Sequence, residues 1–390
     1  MPAARSPTKT GGHHPELLQI IRDEIRDSGP LPFSRFQELC LYHPRWGYYT
    51  RGRGIGREGA DFWTAPEMNP VFGELVAVQL AEMSALLGSP GDFQVVELGA
   101  GTGRLALAAL DAWRREASPL YREGVYGIVE PSSGLRQIQR ELLGAHGDRV
   151  RWLKVSGRAP EAPAGVLLMN EVLDALPVDR VVGGAEGLQE IRVGWRDGGL
   201  VELSVPAGEE LVEELRLRLG GGGRGLEAGQ EAELRPRLAE FLAGAASRIG
   251  SGYILAIDYG DRAADLYRRP RGTAMAYHRH RANEDLLARA GHQDITAHVD
   301  FTAASAAAAD VGFREAGMTS QMKFLLAVGL AERIEALESE DLAEKERVSR
   351  RLGMTALIKP GGMGEMFKVW IGARGAPVHL RGLRDPFTAC

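Results

Sequence analysis

The sequence predicts an α/β fold in which helices cover both faces of a Rossmann-like, doubly wound parallel sheet. The main observation is that short apolar runs alternate with helical patterns from Phe93 onward. A glycine-rich turn joins the first apolar run to a helix, as in sheets that bind nucleotide-like ligands. The alternation breaks after Val182 and resumes at Tyr253, which indicates that an inserted segment interrupts the sheet.

Apolar spacing and turn residues predict the individual elements in chain order. Helices are expected at 15–28, at 33–42 with Ser34 as N-cap, and at 71–87, 104–116, 133–143, 209–219, 231–249 and 332–350. Strands are expected at 93–98, 125–130, 150–155, 165–169, 253–258, 319–326 and 367–371. A hairpin over 188–205 is expected to turn at 197–199.

This pattern predicts how the chain divides into domains. We expect a disordered leader (1–15), an N-terminal helical and aromatic-loop cap (16–90), a Rossmann-like core (91–185 and 251–375), a helical-hairpin insertion (186–250) and a loose tail (376–390). The glycine run at 220–223 is expected to be a flexible spacer inside the insertion.

Composition excludes several classes of protein. The chain has 390 residues, 44% hydrophobic and 25% charged, with a net charge of -5, which is typical of a globular protein without a global affinity for nucleic acid. Two cysteines provide neither a disulfide framework nor a zinc site, so no metal is expected. No apolar stretch reaches the roughly 20 residues that span a bilayer, and no secretory signal is seen. We therefore expect a cytoplasmic protein.

The glycine-rich turn after the first strand distinguishes between cofactors. Its spacing is G-x-G-x-G over Gly99, Gly101 and Gly103, and Arg104 stands where a dinucleotide fingerprint needs its last glycine. No Gly-Lys-Ser/Thr follows, which excludes a P-loop. Glu97 would repel a pyrophosphate, but it suits the cationic amino group and sulfonium of S-adenosylmethionine.

A second acid supports the same cofactor. Glu130 ends the next predicted strand, where a carboxylate can accept hydrogen bonds from ribose hydroxyls. The sequence therefore predicts an S-adenosylmethionine site. The expected cofactor-binding residues are Asp61, Thr64, Pro66, Glu67, Gly73, Glu97, Gly99, Ala100, Gly101, Gly103, Glu130, Pro131 and Asn170.

Three polar residues follow the fourth predicted strand: Asn170, Glu171 and Asp174. Ligands of open parallel sheets bind at the carboxyl ends of the strands, so these residues are candidates for the methyl-donor pocket. The alternative is that Asn170 caps a following helix and that Asp174 is solvated.

Several motifs spread along the chain resemble those of the MidA-like (DUF185) class I methyltransferase family. They are Tyr42-His43-Pro44, Gly47-Tyr48-Tyr49, Asp61-Phe62, Thr64-Ala65-Pro66-Glu67, Asn69-Pro70-Val71-Phe72-Gly73-Glu74, Val96-Glu97-Leu98-Gly99-Ala100-Gly101-Thr102-Gly103, Asn170-Glu171, Asp174-Ala175-Leu176-Pro177, Ile257-Asp258-Tyr259-Gly260, Asp294-Ile295-Thr296-Ala297-His298-Val299-Asp300-Phe301 and Gly364-Glu365-Met366-Phe367-Lys368-Val369. The chain departs from the family pattern at Trp63 and in an arginine-rich stretch over 268–281.

The resemblance implies a class I methyltransferase core with an N-terminal cap and a helical insertion. The mitochondrial member of the family methylates an arginine of a complex I subunit, so a protein substrate is expected. If the acceptor is a guanidinium, the position after the fourth strand makes Glu171 the expected catalytic carboxylate, with Asn170 positioning the donor or the acceptor and Asp174 or Glu67 as the second choice. Two alternatives stay open: a small-molecule methyltransferase, and an assembly chaperone that binds the donor without turnover.

Other polar and aromatic residues are weaker candidates. Tyr48 and Tyr49 could stack on a ligand or pack the cap, and Asp258 and Tyr259 end the fifth strand. His298 and Asp300 are read as a proton acceptor with its orienting residue or as a structural pair. The basic run favours a solvated or partner-binding face over nucleic acid, and a homodimer is open.

Overall fold

The computed structural model describes residues 12–51, 65–89, 91–155, 162–221 and 225–388. The predicted cofactor contacts Asp61 and Thr64 lie outside these residues, as do Trp63, part of the leader, part of the glycine spacer and Cys390.

The helices in chain order are α1 (Pro15–Ser28), α2 (Phe33–Tyr42), α3 (Ala65–Met68), α4 (Pro70–Leu86), α5 (Arg104–Arg115), α6 (Pro119–Glu123), α7 (Ser133–Leu143), α8 (Glu209–Arg218), α9 (Leu238–Ala246), α10 (Ala263–Leu266), α11 (Phe301–Asp310), α12 (Gln321–Ala327), α13 (Leu330–Ala336), α14 (Glu344–Ala356) and α15 (Met363–Met366). The strands are β1 (Leu31–Pro32), β2 (Gln94–Leu98), β3 (Val125–Val129), β4 (Val150–Trp152), β5 (Ala162–Asn170), β6 (Asp179–Gly184), β7 (Gly187–Arg196), β8 (Gly199–Pro206), β9 (Glu231–Leu234), β10 (Ile249–Asp261), β11 (Met275–His278), β12 (Arg281–Asn283), β13 (Asp294–Thr296), β14 (Val299–Asp300), β15 (Arg314–Ser320) and β16 (Phe367–Arg374).

The chain forms two compact units, each built from three separate segments. The core unit comprises Trp63–Leu173, Ala239–Gly260 and Ala304–Cys390. The accessory unit comprises Met1–Phe62, Asp174–Leu238 and Asp261–Ala303. The domain boundaries that the sequence predicts remain a proposal.

A mostly parallel sheet forms the centre of the core unit, with the strand order β15-β16-β10-β5-β2-β3-β4. The strands from β10 to β4 run parallel, and β16 is antiparallel to both of its neighbours. The central strands are buried because their side chains are apolar on both faces; Val95, Ile128 and Leu168 are fully buried. The predicted Rossmann-like, doubly wound fold class is confirmed.

The register of this sheet brings the carboxyl ends of its strands to one edge. Leu98 at the end of β2 pairs with Val129 of β3 on one side and with Met169 of β5 on the other. Asn170, the last residue of β5, pairs with Ile257 of β10. The residues that follow these strands therefore lie at the ligand-binding edge of the core unit.

The accessory unit contains two antiparallel sheets. One has the order β1-β7-β6-β9 with β8 also paired to β7, and the other has the order β12-β11-β13. Helices α1 and α2 belong to the same apolar cluster as Val193 of β7, and Phe33 and Phe36 are fully buried there. The predicted hairpin is confirmed, and Asp197 and Gly198 both have positive φ in its turn.

The predicted helix over 231–249 is wrong. Residues Glu231–Leu234 form β9, which pairs antiparallel with β6, and α9 begins only at Leu238. Pro236 explains the break, since it lacks a backbone N–H and restricts the residue before it to extended conformations. The insertion is consequently built mainly of antiparallel strands rather than of a helical hairpin.

Three further expectations are corrected. The strand expected over 319–326 ends at Ser320, whose hydroxyl caps α12 by accepting a hydrogen bond from the backbone N–H of Lys323. The helix expected over 332–350 is two helices, because α13 ends at Ala336 and α14 begins at Glu344. Ser34 is not the N-cap of α2; its backbone N–H donates to Asp179, 3.2 Å away.

Among the helices of the described residues, none is both long and apolar enough to cross a bilayer.

Candidate active site

The glycine loop between β2 and α5 adopts a conformation that requires glycine. Gly99, Gly101 and Gly103 have φ values of +67°, +55° and +90°. A Cβ on Gly99 would lie 3.2 Å from the side chain of Val172, and one on Gly103 would lie 3.2 Å from Gln139. The positive φ values disfavour larger residues at all three positions, and at Gly99 and Gly103 a neighbouring side chain would also have to move.

Two side chains that the sequence analysis did not single out as loop anchors hold this loop in place. Gln139 of α7 donates from Nε2 to the carbonyl of Gly101 at 2.8 Å, and Trp152 donates to Gln139 at 2.9 Å. Their signal in the sequence is weak, because a buried glutamine on a helix gives no motif.

Glu67 also anchors the glycine loop. Its side chain is 4% exposed, forms an ion pair with Arg104 at 2.8 Å and accepts a hydrogen bond from the Thr102 hydroxyl. Two partners from the loop thus hold its carboxylate, which favours an anchoring role over the catalytic alternative. Pro66 precedes it in the short helix α3.

Glu97 lies in the buried part of β2, where it is 2% exposed. The hydroxyl of Tyr126, on the neighbouring strand β3, donates to its carboxylate at 2.8 Å. Burial raises the pKa of Glu97 to about 7, against the opposing effect of the Tyr126 hydrogen bond. A cation beside this carboxylate would offset the cost of burying its charge.

Glu130 directly follows β3 and is 5% exposed. It accepts a hydrogen bond from the backbone N–H of Ser132 at 2.9 Å, and burial raises its pKa to about 7. The carbonyl of Pro131 accepts from Arg136 at 3.0 Å, which fixes the turn after the strand. The two predicted acids are both buried in the core unit and are close enough for Glu130 to raise the pKa of Glu97.

Asn170 is the last residue of β5, and Glu171, which follows it, has an unusual backbone conformation. Glu171 has φ +53°, in the left-handed region that side chains with a Cβ rarely occupy. The amide of Asn170 donates to the Glu171 carboxylate at 3.1 Å, while its buried Oδ1 has no hydrogen-bond partner within the described part of the chain. A buried acceptor without a protein partner is available to a water molecule or to a ligand that supplies a donor.

The alternative interpretation of this segment is wrong. The described chain has no helix between β5 and β6, so Asn170 caps none. Asp174 is not solvated, because it is 2% exposed. It belongs to the accessory unit, where its carbonyl accepts hydrogen bonds from Ala297 at 3.2 Å and Arg235 at 3.3 Å. A catalytic role for Asp174 stays a prediction.

The remaining candidates of the accessory unit have structural partners. Tyr49 donates to Asp294 at 2.8 Å and packs edge-on against Tyr48, with ring centroids 5.2 Å apart. Asp300 accepts from the Tyr267 hydroxyl at 3.1 Å and from the backbone N–H of Thr302 at 2.8 Å, which caps the start of α11. These contacts favour the packing interpretation for the tyrosines and a structural role for Asp300.

A family model for S-adenosyl-L-methionine-dependent methyltransferases matches residues 75–319 of the chain. This match includes the glycine loop, both acids and the segment after β5. The chain belongs to this methyltransferase family.

Proteins from several organisms resemble this methyltransferase over nearly its whole length. The mitochondrial protein arginine methyltransferase NDUFAF7 homolog of Drosophila melanogaster is 31% identical, with 94% of this chain and 86% of the relative covered. The mitochondrial protein arginine methyltransferase NDUFAF7 of Homo sapiens is 25% identical, with 90% and 82% covered. A methyl transferase from Burkholderia thailandensis bound to S-adenosyl-homocysteine is 35% identical, with a TM-score of 0.85 and 95% of each chain covered.

These comparisons confirm that the protein is an S-adenosylmethionine-dependent methyltransferase. S-adenosylmethionine is the cofactor that the sequence predicted. The expected cytoplasmic location is contradicted, because the curated relatives from Drosophila melanogaster and Homo sapiens are named as mitochondrial proteins.

Close packing between α4 and α5 explains why residue 73 is glycine. A Cβ on Gly73 in α4 would lie 2.6 Å from the Cβ of Ala108 in α5, so alanine would force the two helices apart. We expect Gly73→Ala to cost about 1–3 kcal/mol of stability, measured by thermal unfolding, without changing the calorimetric affinity for S-adenosylhomocysteine.

Gly244→Ala is the matched control for this variant, because Gly244 in α9 has no atom within 4 Å of its added Cβ. It should leave stability unchanged or raise it slightly. A weaker affinity of Gly73→Ala at unchanged stability would instead support the predicted contact with the cofactor.

Proposed function

We propose that this methyltransferase transfers a methyl group from S-adenosylmethionine to a guanidinium nitrogen of an arginine in a partner protein. Its relatives from Drosophila melanogaster and Homo sapiens carry the name protein arginine methyltransferase. The observation that carries the proposal is the carboxylate of Glu171, placed at the end of β5 beside the glycine loop.

The geometry of the core unit supports this placement. Gly99 begins the glycine loop. A Cβ added to Gly99 would lie 3.2 Å from the side chain of Val172, the residue after Glu171. Glu97 lies on β2 and Glu130 directly follows the neighbouring strand β3, where they suit the cationic and ribose groups of the donor. The orphaned Oδ1 of Asn170 adds an acceptor for a ligand N–H or O–H at the same edge.

The residues of the chain would divide the chemistry between them. When bound, the cofactor would supply a methyl group on a positively charged sulfur. The bond from the arginine nitrogen to the methyl carbon forms as the S–C bond breaks, and the electron pair of the S–C bond stays on sulfur. Glu171 holds the guanidinium through paired hydrogen bonds and accepts the proton that the attacking nitrogen loses. Asn170 keeps the Glu171 carboxylate oriented through its 3.1 Å hydrogen bond.

The proposed partner is a protein rather than nucleic acid. Arginines of the basic run already pair with acids within the accessory unit: Arg268 with Asp265 at 3.3 Å and Arg269 with Asp261 at 2.9 Å. Charges that are neutralised in this way leave less positive potential for a phosphate backbone.

We also propose a homodimer, which light scattering of the purified protein tests.

The deciding experiment follows the methyl group to its acceptor. Purified full-length protein is incubated with S-[methyl-³H]adenosylmethionine and cell extract, and precipitated protein is then hydrolysed for amino-acid chromatography. We expect radioactivity to elute with methylated arginines and to depend on Glu171. Label in the acid-soluble fraction would indicate a small-molecule methyltransferase, and binding of S-adenosylhomocysteine without any transfer would indicate a chaperone.

A further inference from the structure

Glu171 occupies a backbone conformation that it cannot hold by itself. Its φ of +53° brings its Cβ close to its own backbone, and such residues persist only where the surrounding structure holds them. In a family whose reaction depends on alignment, the groups that hold this residue control where its carboxylate points.

Three successive backbone amides of this segment donate to β10. The N–H of Glu171 donates to the carbonyl of Ile257 at 2.9 Å. The N–H groups of Val172 and Leu173 both donate to Oδ2 of Asp258, at 3.2 Å and 2.9 Å. The segment is therefore attached to β10 at every residue from 171 to 173.

Asp258 is itself fixed in one orientation. It is 1% exposed, and its second oxygen, Oδ1, accepts from the backbone N–H of Tyr259 at 2.9 Å. Both carboxylate oxygens of Asp258 therefore accept hydrogen bonds from backbone N–H groups. An asparagine of the same shape would turn one of these oxygens into an NH₂ group that faces an N–H.

We propose that Asp258 is a positioning residue for methyl transfer. Its carboxylate holds the backbone at Val172 and Leu173, so that Glu171 keeps its left-handed conformation and its carboxylate keeps its orientation. This inference rests on the proposed catalytic role of Glu171. In this role Asp258 does not touch the reacting atoms. Its role also differs from that of Glu97 on β2 and Glu130 after β3, which are proposed to bind the cofactor.

The first test measures the backbone amides without any turnover. Amide hydrogen exchange of the full-length protein is compared between the wild type and Asp258→Asn, in the absence of cofactor. Exchange at Val172 and Leu173 should become at least about tenfold faster, because a charge-assisted acceptor is lost. The amide of Ile128 in β3 is the internal control and should not change.

The second test is a double-mutant cycle on turnover with S-[methyl-³H]adenosylmethionine and extract protein. As a single substitution, Asp258→Asn should lower kcat by about 10- to 100-fold, while the affinity for S-adenosylhomocysteine should stay within about threefold of the wild-type value. In a Glu171→Gln background the same substitution should have almost no further effect. A merely structural aspartate would reduce turnover equally in both backgrounds.

The outcomes distinguish the two proposals. Unchanged exchange at both amides, or equal losses of kcat in the two backgrounds, would overturn the positioning role of Asp258. Full turnover of Glu171→Gln alone would overturn the proposed catalytic role of Glu171, and the positioning role of Asp258 with it, whereas the proposed function itself fails only if no label reaches protein arginine. If Asp258→Asn does not fold, Asp258→Glu, which keeps the charge but is one methylene longer, replaces it in both tests.

Discussion

Replacing Glu171 with glutamine is expected to lower kcat for methyl transfer by about 10²- to 10⁴-fold, the usual contribution of a positioned general base. Glutamine has nearly the same size and can still accept a hydrogen bond from Asn170, but it cannot take up a proton. Its amide also cannot pair with a guanidinium through two acceptors. Initial rates with tritiated S-adenosylmethionine measure the loss.

The affinity for the cofactor separates a catalytic loss from a misfolded site. Calorimetric titration with S-adenosylhomocysteine should give a Kd for Glu171→Gln within about threefold of the wild type, since the loss lies in the transition state. Glu123→Gln, at an exposed position of α6, is the matched control and should keep full turnover. An active Glu171→Gln would assign the carboxylate role to another residue.

The second large effect is expected at Glu97. Glu97→Gln should weaken the binding of S-adenosylmethionine by about 2–5 kcal/mol, or at least about 30-fold, because the cationic donor loses a buried counter-charge. Glutamine keeps the side-chain length and an oxygen that can accept from Tyr126. Calorimetry measures the change, with Glu123→Gln again as the control. Unchanged affinity would remove Glu97 from the cofactor site.

The pH dependence of binding tests the same carboxylate independently. Because burial raises the pKa of Glu97 and Glu130 to about 7, the ligand-free protein gains stability from their protonation at low pH and loses it as the pH rises through 7. A cationic ligand favours the ionised form. We expect affinity to be about tenfold weaker at pH 6 than at pH 8 for each carboxylate that must ionise, and Glu97→Gln to reduce this dependence.

The cofactor half of the candidate site could be predicted from the sequence because its signals are local. A strand, a glycine-rich turn and an acid at the end of the next strand lie within about forty residues, and the parallel sheet brings them together. The Asn170 and Glu171 pair followed from the same rule about strand ends. These residues now have defined positions, and their roles remain proposals.

The parts that sequence reasoning missed depend on pairing between distant segments. Residues 231–234 have too few positions to show an alternating pattern, and only their pairing with β6 makes them a strand. Tyr126 reads as an ordinary aromatic strand residue until β3 lies beside β2 and its hydroxyl reaches Glu97. The anchoring of Glu67 by Arg104 also joins residues that are far apart in the chain.

The position of β16 has a consequence for how the protein is made. This strand, at Phe367–Arg374, lies between β10 and β15, which both precede it in the chain. During synthesis the two earlier strands emerge with their facing edges unpaired, and such edges are templates for aggregation. The strand pairing of this sheet is complete only after residue 374 has left the ribosome, so the order of synthesis leaves these two edges exposed until then.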